Sequence, residues 1–384
     1  MKMSLDSESP TIAVLGGGQL GRMLALAGYP LGLRFRFLDP APQAPAGHLA
    51  ELVVAEYDDL AGLERLIAGA HTATYEFENV PARAAAFLSQ RLPVYPPAHA
   101  LETAQDRLAE KTCFRSLGIP TPDFASVDTW DDLTTAVRRL GYPAVLKTRR
   151  LGYDGKGQRL LRNPSDLAPA WAALGGTPLI LEQFVPFDRE LSVLAVRSVG
   201  GEIVLYPPVQ NHHRDGILRV SLAPAPALST DLQQRCEDYA RRLLQHLDYV
   251  GVLAIELFQL GTQLLANEMA PRVHNSGHWT IEGATTSQFE NHLRAVLGWP
   301  LGKAAPRGYC AMINLIGDLP PLSRALALSG AHVHLYGKAP RPGRKLGHIT
   351  FVEPSEAGLA GRLAALHSEL PSLVSGLSQT TQGH

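Results

Sequence analysis

The chain has 384 residues, enough for two or three domains with cores of their own, and at 45% apolar against 18% charged residues it is globular rather than disordered. A net charge of -1 without a long basic run excludes a nucleic-acid-binding or membrane-surface protein, and no apolar run approaches the length of a membrane span. Cys113, Cys236 and Cys310 are scattered and odd in number, so they read as reduced cytosolic thiols, not as a disulfide set or a zinc site.

Residues 1–10 are polar, lack the apolar stretch of a signal peptide and are expected as a disordered tail. Thr11–Leu15 then reads as a buried strand, and Gly16-Gly17-Gly18-Gln19-Leu20-Gly21 opens an apolar helix. Gly16, Gly18 and Gly21 satisfy G-x-G-x-x-G, and Asp39 closes the next strand, which is the pattern of a dinucleotide site with Asp39 on a ribose. The glycines themselves require less. They let an anion approach the N–H groups of a helix N-terminus, and a substrate phosphate serves as well as a pyrophosphate. Asp39, followed by Pro40, reads equally as a turn residue.

In Thr72–Pro81, Glu76 and Glu78 alternate with aromatics at a strand end, where α/β sheets bind ligands, although a half-exposed strand alternates in the same way. Pro93 to Pro97 marks a domain exit. An amphipathic helix opens at Asp106–Lys111 and closes near Gly118. Pro143–Thr148 is a strand bearing Lys147, and the glycine-rich tip Leu151–Gln158 leads to a return strand, Arg159–Leu161. Such a flap suits a triphosphate, with backbone N–H groups on the phosphates and lysine as a point charge. An ordinary flexible hairpin is the plainer alternative. No Gly-Lys-Ser/Thr opens a helix, so this is not a Walker A loop. Pro178–Val185 is a further buried strand, Glu190 begins the next, and His212 and His213 are placed in a polar loop before Asp215-Gly216.

Val252–Phe258 reads as a buried strand containing Glu256, with a hairpin tip at Gly261-Thr262 and a partner strand running through Leu264–Ala266 into Asn267–Trp279. A hairpin centred there puts Glu256 opposite, or nearly opposite, Glu268. Facing residues have Cβ atoms roughly 5 Å apart, so like charges repel unless a cation lies between them. Mg²⁺ suits the pair, and Mn²⁺ shares its preference for oxygen. Residues 267–279 also offer a guanidinium, two imidazoles, amides and a hydroxyl, more than a solvated turn requires. Ser287–Leu297 is helical, and a separate C-terminal piece is expected from near Leu301. It holds strands at Ala311–Leu315 and His332–Tyr336, a loop Pro340–His348 presenting Arg344 and Lys345 as an anion clamp, and a closing helix, Glu356–Leu370.

This order of parts resembles the ATP-grasp superfamily and, within it, the N5-carboxyaminoimidazole ribonucleotide synthetases. The motifs GGGQLGRM, GYDGKGQ, QNHHRDGILR, NEMAPRVHNSGHWT and RPGRKLGH carry the likeness from about Thr11 past His348. The resemblance implies an α/β fold, α+β in its ATP-binding part. A Rossmann-like preATP-grasp domain is expected over 11–105, an ATP-grasp domain over 106–300 with a mobile flap subdomain at about 120–185, and a small C-terminal domain over 301–384. It implies a cytoplasmic, homodimeric ligase of purine biosynthesis, without nucleic-acid or membrane partners. Such a ligase uses ATP, Mg²⁺ and bicarbonate to carboxylate aminoimidazole ribonucleotide through carboxyphosphate. The same resemblance puts Arg107 and Lys147 on the nucleotide phosphates, under a flap of Gly152, Tyr153, Asp154, Gly155, Lys156, Gly157 and Gln158. Glu182, Gln183, Phe184 and Val185 would hold adenine and Glu190 the ribose, with His213 bordering the nucleotide. Glu256 and Glu268 match the metal ligands, with Asn267 beside them. The turn Gly18-Gln19-Leu20 would receive the substrate phosphate. Glu76, Tyr153, Asp154, Arg272, His274, Asn275, Arg344 and Lys345 would surround ribonucleotide and bicarbonate. Arg272 is expected to grip bicarbonate bidentately and a neutral His274 to take the amine proton. The rival readings are a formate-dependent glycinamide ribonucleotide formyltransferase of the same superfamily and, from another class, an NAD-dependent oxidoreductase.

Overall fold

The computed structural model describes residues 9–152 and 156–369; Tyr153, Asp154 and Gly155, for which site roles are expected, lie outside the described residues, as does most of the N-terminal tail. Among the described residues no helix is long and apolar enough to cross a membrane.

Strands β1 (Thr11–Leu15), β2 (Arg34–Asp39), β3 (Glu51–Val54) and β4 (Thr72–Tyr75) form a parallel sheet in the order β3-β2-β1-β4. Every residue of β4, and all but the first of β1, is buried, as a sheet covered on both faces requires. The chain order reverses between β1 and β4, so a crevice opens at their C-terminal ends. The glycine turn leaves β1 there, and Glu76 leaves β4 beside it. Helix Gln19–Gly28 presses Leu20, Met23 and Leu24 into a core shared with Phe35 and Phe37 of β2.

A second sheet is antiparallel: β5 (Phe124–Val127), β6 (Ala144–Thr148), β7 (Gln158–Leu161) and β8 (Leu179–Gln183), in the order β5-β8-β6-β7. Helix Trp130–Leu140, started by a Thr129/Asp132 capping box, buries Leu133 and Val137 against its Leu146 and Leu181. The β6–β7 hairpin is the expected flap, with Lys147 opposite Gln158.

The third sheet has nine strands: β9 (Arg189–Arg197), β10 (Ile203–Leu205), β11 (Val209–Arg214), β12 (Ile217–Ala223), β13 (Gly251–Leu260), β14 (Gln263–Ala270), β15 (Tyr309–Ile316), β16 (His332–Leu335) and β17 (Lys345–Glu353). Their order is β14-β13-β9-β11-β12-β15-β17-β16, with β10 beside β9. Three expectations change here. The segment after Leu301 is not a separate piece in its hydrogen bonding, because β15 pairs with β12 at Val220↔Ile313 and continues the sheet. His212 and His213 lie within β11, not in a loop. The turn is confined to Asp215 and Gly216, both at positive φ as a two-residue hairpin requires, so the polar residues before it remain in the ladder. Lys345–His348, expected in a loop, opens β17.

Strand β13 is buried on both faces over its first half, 251–255. Helix Thr230–His246 covers one, and the other meets Trp279, Phe289 and helix Gln288–Val296. Trp279 is fully buried, its ring edge-on to Tyr206. Trp279→Ala is expected to cost about 3–5 kcal/mol, the usual range for emptying an aromatic site in a core. It should appear as a clear fall in the thermal midpoint, and an unchanged midpoint would deny Trp279 this role.

Candidate active site

The hairpin β13–β14 pairs Glu256 directly with Glu268, and the register shifts immediately after Glu256. The opposition read from the sequence is therefore present. Glu268 Oε2 accepts from an Arg107 guanidinium nitrogen at 2.8 Å, and Glu256 Oε1 lies 3.4 Å from His274 Nε2. Burial and then the charge of Glu268 push the Glu256 carboxyl up to about 7. Burial also opposes ionisation of Glu268, but Arg107 overcomes it and holds that group low. Two facing, part-buried carboxylates at the cavity wall, one discouraging ionisation of the other, form a donor set that fits a divalent cation. No group of three potential ligand side chains occurs among the described residues, so water and phosphate oxygens would complete the shell of a cation held here.

Lys147 of β6 lines the same cavity. Glu182, expected at adenine, is 2% exposed, and its Oε2 accepts from Lys147 Nζ at 3.0 Å and lies 3.1 Å from Lys111 Nζ. Alternation along β8 turns this side chain under the lysines rather than out toward a base. Burial alone would raise its pKa; the Lys111 and Lys147 ammoniums bring it down to about 2. Lys111 also donates to the Asn267 carbonyl at 3.0 Å, and Glu110 Oε1 accepts from Met269 N at 2.6 Å. Burial, then Glu268, push Glu110 up to about 8. The sequence reading counted both residues only as the start of a helix. The available signal was helical spacing, since Glu110 and Lys111 share a buried stripe with Phe114.

On the neighbouring strands β9 and β11, Glu190 and His213 join side by side, His213 Nδ1 to Glu190 Oε2, at 2.6 Å. Gln183, Phe184 and Val185 line the wall near them.

The glycine turn overturns two expectations. Gly18 N donates to Glu76 Oε1 at 2.8 Å, and Leu20 N and Gly21 N donate to its Oε2 at 3.1 and 3.0 Å. The anion seated at this helix N-terminus is thus the protein's own carboxylate, not a substrate phosphate. A Cβ on Gly18 would stand 2.6 Å from Glu76 Oε1, which explains the glycine. Asp39 Oδ2 accepts from Gly17 N at 2.8 Å and from the Tyr57 hydroxyl at 3.1 Å. It is a turn residue and not a ribose ligand, so the dinucleotide reading fails. Gln19 remains at the cavity, its Oε1 accepting from Lys338 Nζ.

Around the far end stand Arg272, His274, Asn275, Arg344 and Lys345. Arg272 Nε donates to Glu78, and its terminal nitrogen donates to the Val273 carbonyl at 3.1 Å. The second Nη1 hydrogen and the two on Nη2 are not used in these contacts, which leaves the outer edge of the guanidinium able to take a carboxylate or bicarbonate. Against burial, Arg272 brings Glu78 down to about 2. Asn275 exchanges two amide hydrogen bonds with Asn314, at 3.0 and 2.7 Å. Arg344 donates to the Ala339 carbonyl at 3.1 Å. The His274 backbone is clasped by the buried Gln288, which accepts from its N–H at 2.9 Å and donates to its carbonyl at 2.7 Å. Burial, with Arg272 and Lys345 nearby, lowers the imidazole pKa to about 3, which favours the neutral ring. Its Nδ1 already accepts from Ser276 N at 3.3 Å, so the base role expected of His274 can rest only on Nε2.

One cavity of about 740 Å³ joins these groups, from Arg107, Lys147, Gly152, Lys156 and Gln158 at one end to Arg344 and Lys345 at the other. That volume suits a nucleotide together with a second small molecule. Among the residues predicted for the site and described here, Gly18 and Gly157 stand behind its wall. Gly157 has φ 72°, and its carbonyl accepts from Thr148 N at 2.8 Å, holding the flap turn.

Glu78 and Glu182 ionise near 2 when folded against an ordinary 4.5. Between those values the unfolded chain binds more protons, so their stabilisation is complete above about pH 4.5 and is lost as the pH falls through about 2. Lys111→Met removes one of the two ammoniums from Glu182, and breaking a buried pair costs roughly 3–5 kcal/mol. Thermal midpoints between pH 7 and 2 should show a deficit that shrinks on acidification; a deficit independent of pH would assign the loss to packing rather than charge.

Comparison with known proteins agrees with this geometry. Three domain descriptions match in succession: the ribonucleotide synthetase preATP-grasp domain over residues 10–105, the ATP-grasp domain over 112–289 and the phosphoribosylaminoimidazole carboxylase C-terminal domain over 310–362. The chain is 55% identical to the N5-carboxyaminoimidazole ribonucleotide synthase of Pseudomonas aeruginosa, covering 93% of this chain and 98% of that one. The crystal structure of the synthetase from Thermus thermophilus is similar with a TM-score of 0.90 at 61% identity, over 93% of this chain and 98% of that one. The enzyme from Aspergillus clavatus, solved with ADP and 5-aminoimidazole ribonucleotide, is similar with a TM-score of 0.88 at 31% identity, over 95% and 99%. By identity across nearly its whole length and by the order of its three domains, the chain belongs to the N5-carboxyaminoimidazole ribonucleotide synthase family of ATP-grasp ligases.

Proposed function

We propose that the chain carboxylates 5-aminoimidazole ribonucleotide to its N5-carbamate, using ATP and bicarbonate and releasing ADP and phosphate. The observation that carries this reading is one cavity in which Arg107, Lys147, Glu256 and Glu268 at one end face a second cluster of cations and imidazole, Arg272, His274, Arg344 and Lys345, at the other. Neither the formyl-transfer nor the dinucleotide reading draws support from these residues.

In this reading the nucleotide lies beneath the flap, with Gly152, Lys156 and Gln158 above its phosphates and Gln183, Phe184 and Val185 beside the base. Glu190 is near enough to His213 for the two to take ribose hydroxyls together. Glu256 and Glu268 would hold Mg²⁺, which neutralises phosphate charge when bound. Lys147, swinging from Glu182, adds a point charge at the transferring group. Phosphoryl transfer to bicarbonate needs positioning and charge neutralisation more than covalent help. The resulting carboxyphosphate is destroyed by water, and in this reading the flap keeps water from it. Arg272, freed from Glu78 or sharing with it, orients the carboxyl group. Arg344, Lys345 and Lys338 take the ribonucleotide's phosphate in place of the filled glycine turn. His274 and Asn275 border the reacting carbon, Asn275 held by Asn314. The same reading makes the enzyme a cytoplasmic homodimer, as the resemblance implies.

Phosphate release from ATP and Mg²⁺ is expected to rise only when aminoimidazole ribonucleotide and bicarbonate are both present. Stimulation by formate and glycinamide ribonucleotide instead would overturn the substrate assignment. His274→Asn should slow carboxylation by about 10²-fold or more while ATP binding persists; near-normal turnover would remove His274 from the reaction. Glu256→Gln should weaken the Mg²⁺ dependence of ATP binding, which titration calorimetry with a non-hydrolysable ATP analogue reads directly. Unaltered metal dependence would place the cation elsewhere.

A further inference from the structure

Behind His274 runs a line of buried polar side chains that the reaction as described does not use. Ser192 lies on β9, Asn211 on β11 and Ser221 on β12, with Asn211 opposite Ser221 in the ladder and Ser192 opposite Glu256. Ser192, Ser221 and Ser276 are fully buried and Asn211 is 4% exposed. Polar groups so deep are costly unless every donor finds an acceptor.

Here each finds one, and all in the same direction. Ser221 Oγ donates to Asn211 Oδ1 at 2.8 Å, and Asn211 Nδ2 donates to Ser192 Oγ at 3.0 Å. Ser192 Oγ donates to Ser276 Oγ at 2.8 Å, and Ser276 Oγ stands 2.8 Å from His274 Nδ1. The polarity is set from the ring end. The backbone N–H of Ser276 can only donate, and it points at His274 Nδ1 at 3.3 Å, so Nδ1 is the bare nitrogen and the ring carries its hydrogen on Nε2. The Ser276 hydroxyl then donates to Nδ1, Ser192 to Ser276, and the Asn211 amide nitrogen, which only donates, to Ser192. Nε2 is the atom that faces the cavity, 3.4 Å from Glu256 Oε1.

We propose that this line is a tautomer lock: it makes His274 a hydrogen-bond donor, through Nε2, to an anionic oxygen of the reacting carboxyl or phosphoryl group. His274 is then not the acceptor of the amine proton that the sequence led us to expect. Ser276, Ser192, Asn211 and Ser221 are positioning residues that act through it. The proposal rests on reading the cavity as the carboxylation site.

The test is a long-range ¹H–¹⁵N correlation spectrum of the full chain labelled with ¹⁵N-histidine, in which the His274 signals are those absent from His274→Asn. The expected pattern is a protonated Nε2 and a bare Nδ1. Hydrogen on Nδ1 in the unaltered chain overturns the lock. Ser276→Ala is expected to give a mixed tautomer signal and a kcat lower by roughly 10- to 100-fold, with KM for ATP unchanged, because a small displacement of a reacting group costs that much. An unmixed signal with an unchanged kcat overturns the line as a positioning device. His274→Gln keeps a donor but has no basic nitrogen, so it should exceed His274→Asn in carboxylation by about tenfold. Equal inactivity of the two overturns the donor role. Should His274→Asn turn over normally, the placement of His274 in the reaction fails, and the spectrum of the unaltered chain still decides the lock on its own.

Discussion

Two glutamates face each other across one hairpin, part-buried at the wall of a cavity, and the charged groups near them are arranged around that conflict. Glu256 and Glu268 are forced together by the β13–β14 register. Arg107 answers one of them, His274 stands beside the other, and neither arrangement neutralises both. A buried charge without compensation is costly enough to unfold a protein or to shift its own protonation, and Glu256 takes the second course. In the function proposed above, a bound cation, with the phosphate charge it brings, would relieve what folding leaves unsettled. Stability given up at this hairpin is available to the ligand as affinity.

The neighbouring charges follow a different rule. Lys111, Lys147 and Glu182 form a buried set with an excess of positive charge, and Arg272 is balanced by Glu78. These contacts hold long side chains in place while the cavity is open. They also mean that several groups expected to touch ligand are engaged elsewhere in this structure. A ligand that took any of these groups would do so by exchange of partners, and its net gain at that contact would be the difference between two hydrogen bonds rather than the whole of one.

The sequence was informative where one local pattern allowed one geometry. Apolar strands around Gly261-Thr262 left little choice of register, so the facing glutamates could be named without a structure. Gly16-x-Gly18-x-x-Gly21 foretold a helix N-terminus open to an anion, but not which anion, because Glu76 arrives from 55 residues or more along the chain. Lys111 escaped notice for a similar reason: a lysine in an amphipathic helix ordinarily faces water, and only the approach of β8 and β14 buries this one. His213 was misplaced because polar composition was taken for a loop, although a two-residue Asp-Gly turn needs no polar approach. The line from Ser221 to His274 spans four separate chain segments, and no window of sequence contains it.

The pairing of β12 with β15 has a further consequence. Matched as a domain of its own, the C-terminal segment looks like a cassette open to trimming or exchange. In hydrogen-bonding terms it is the cover for an open flank. Without β15, the backbone of β12 around Val220 and Leu222 would become an unpaired, apolar sheet edge, the kind of surface on which chains join one another into aggregates. Shortened or chimeric forms of this enzyme would therefore fail first by loss of solubility, ahead of any loss of the residues that the segment contributes to the cavity.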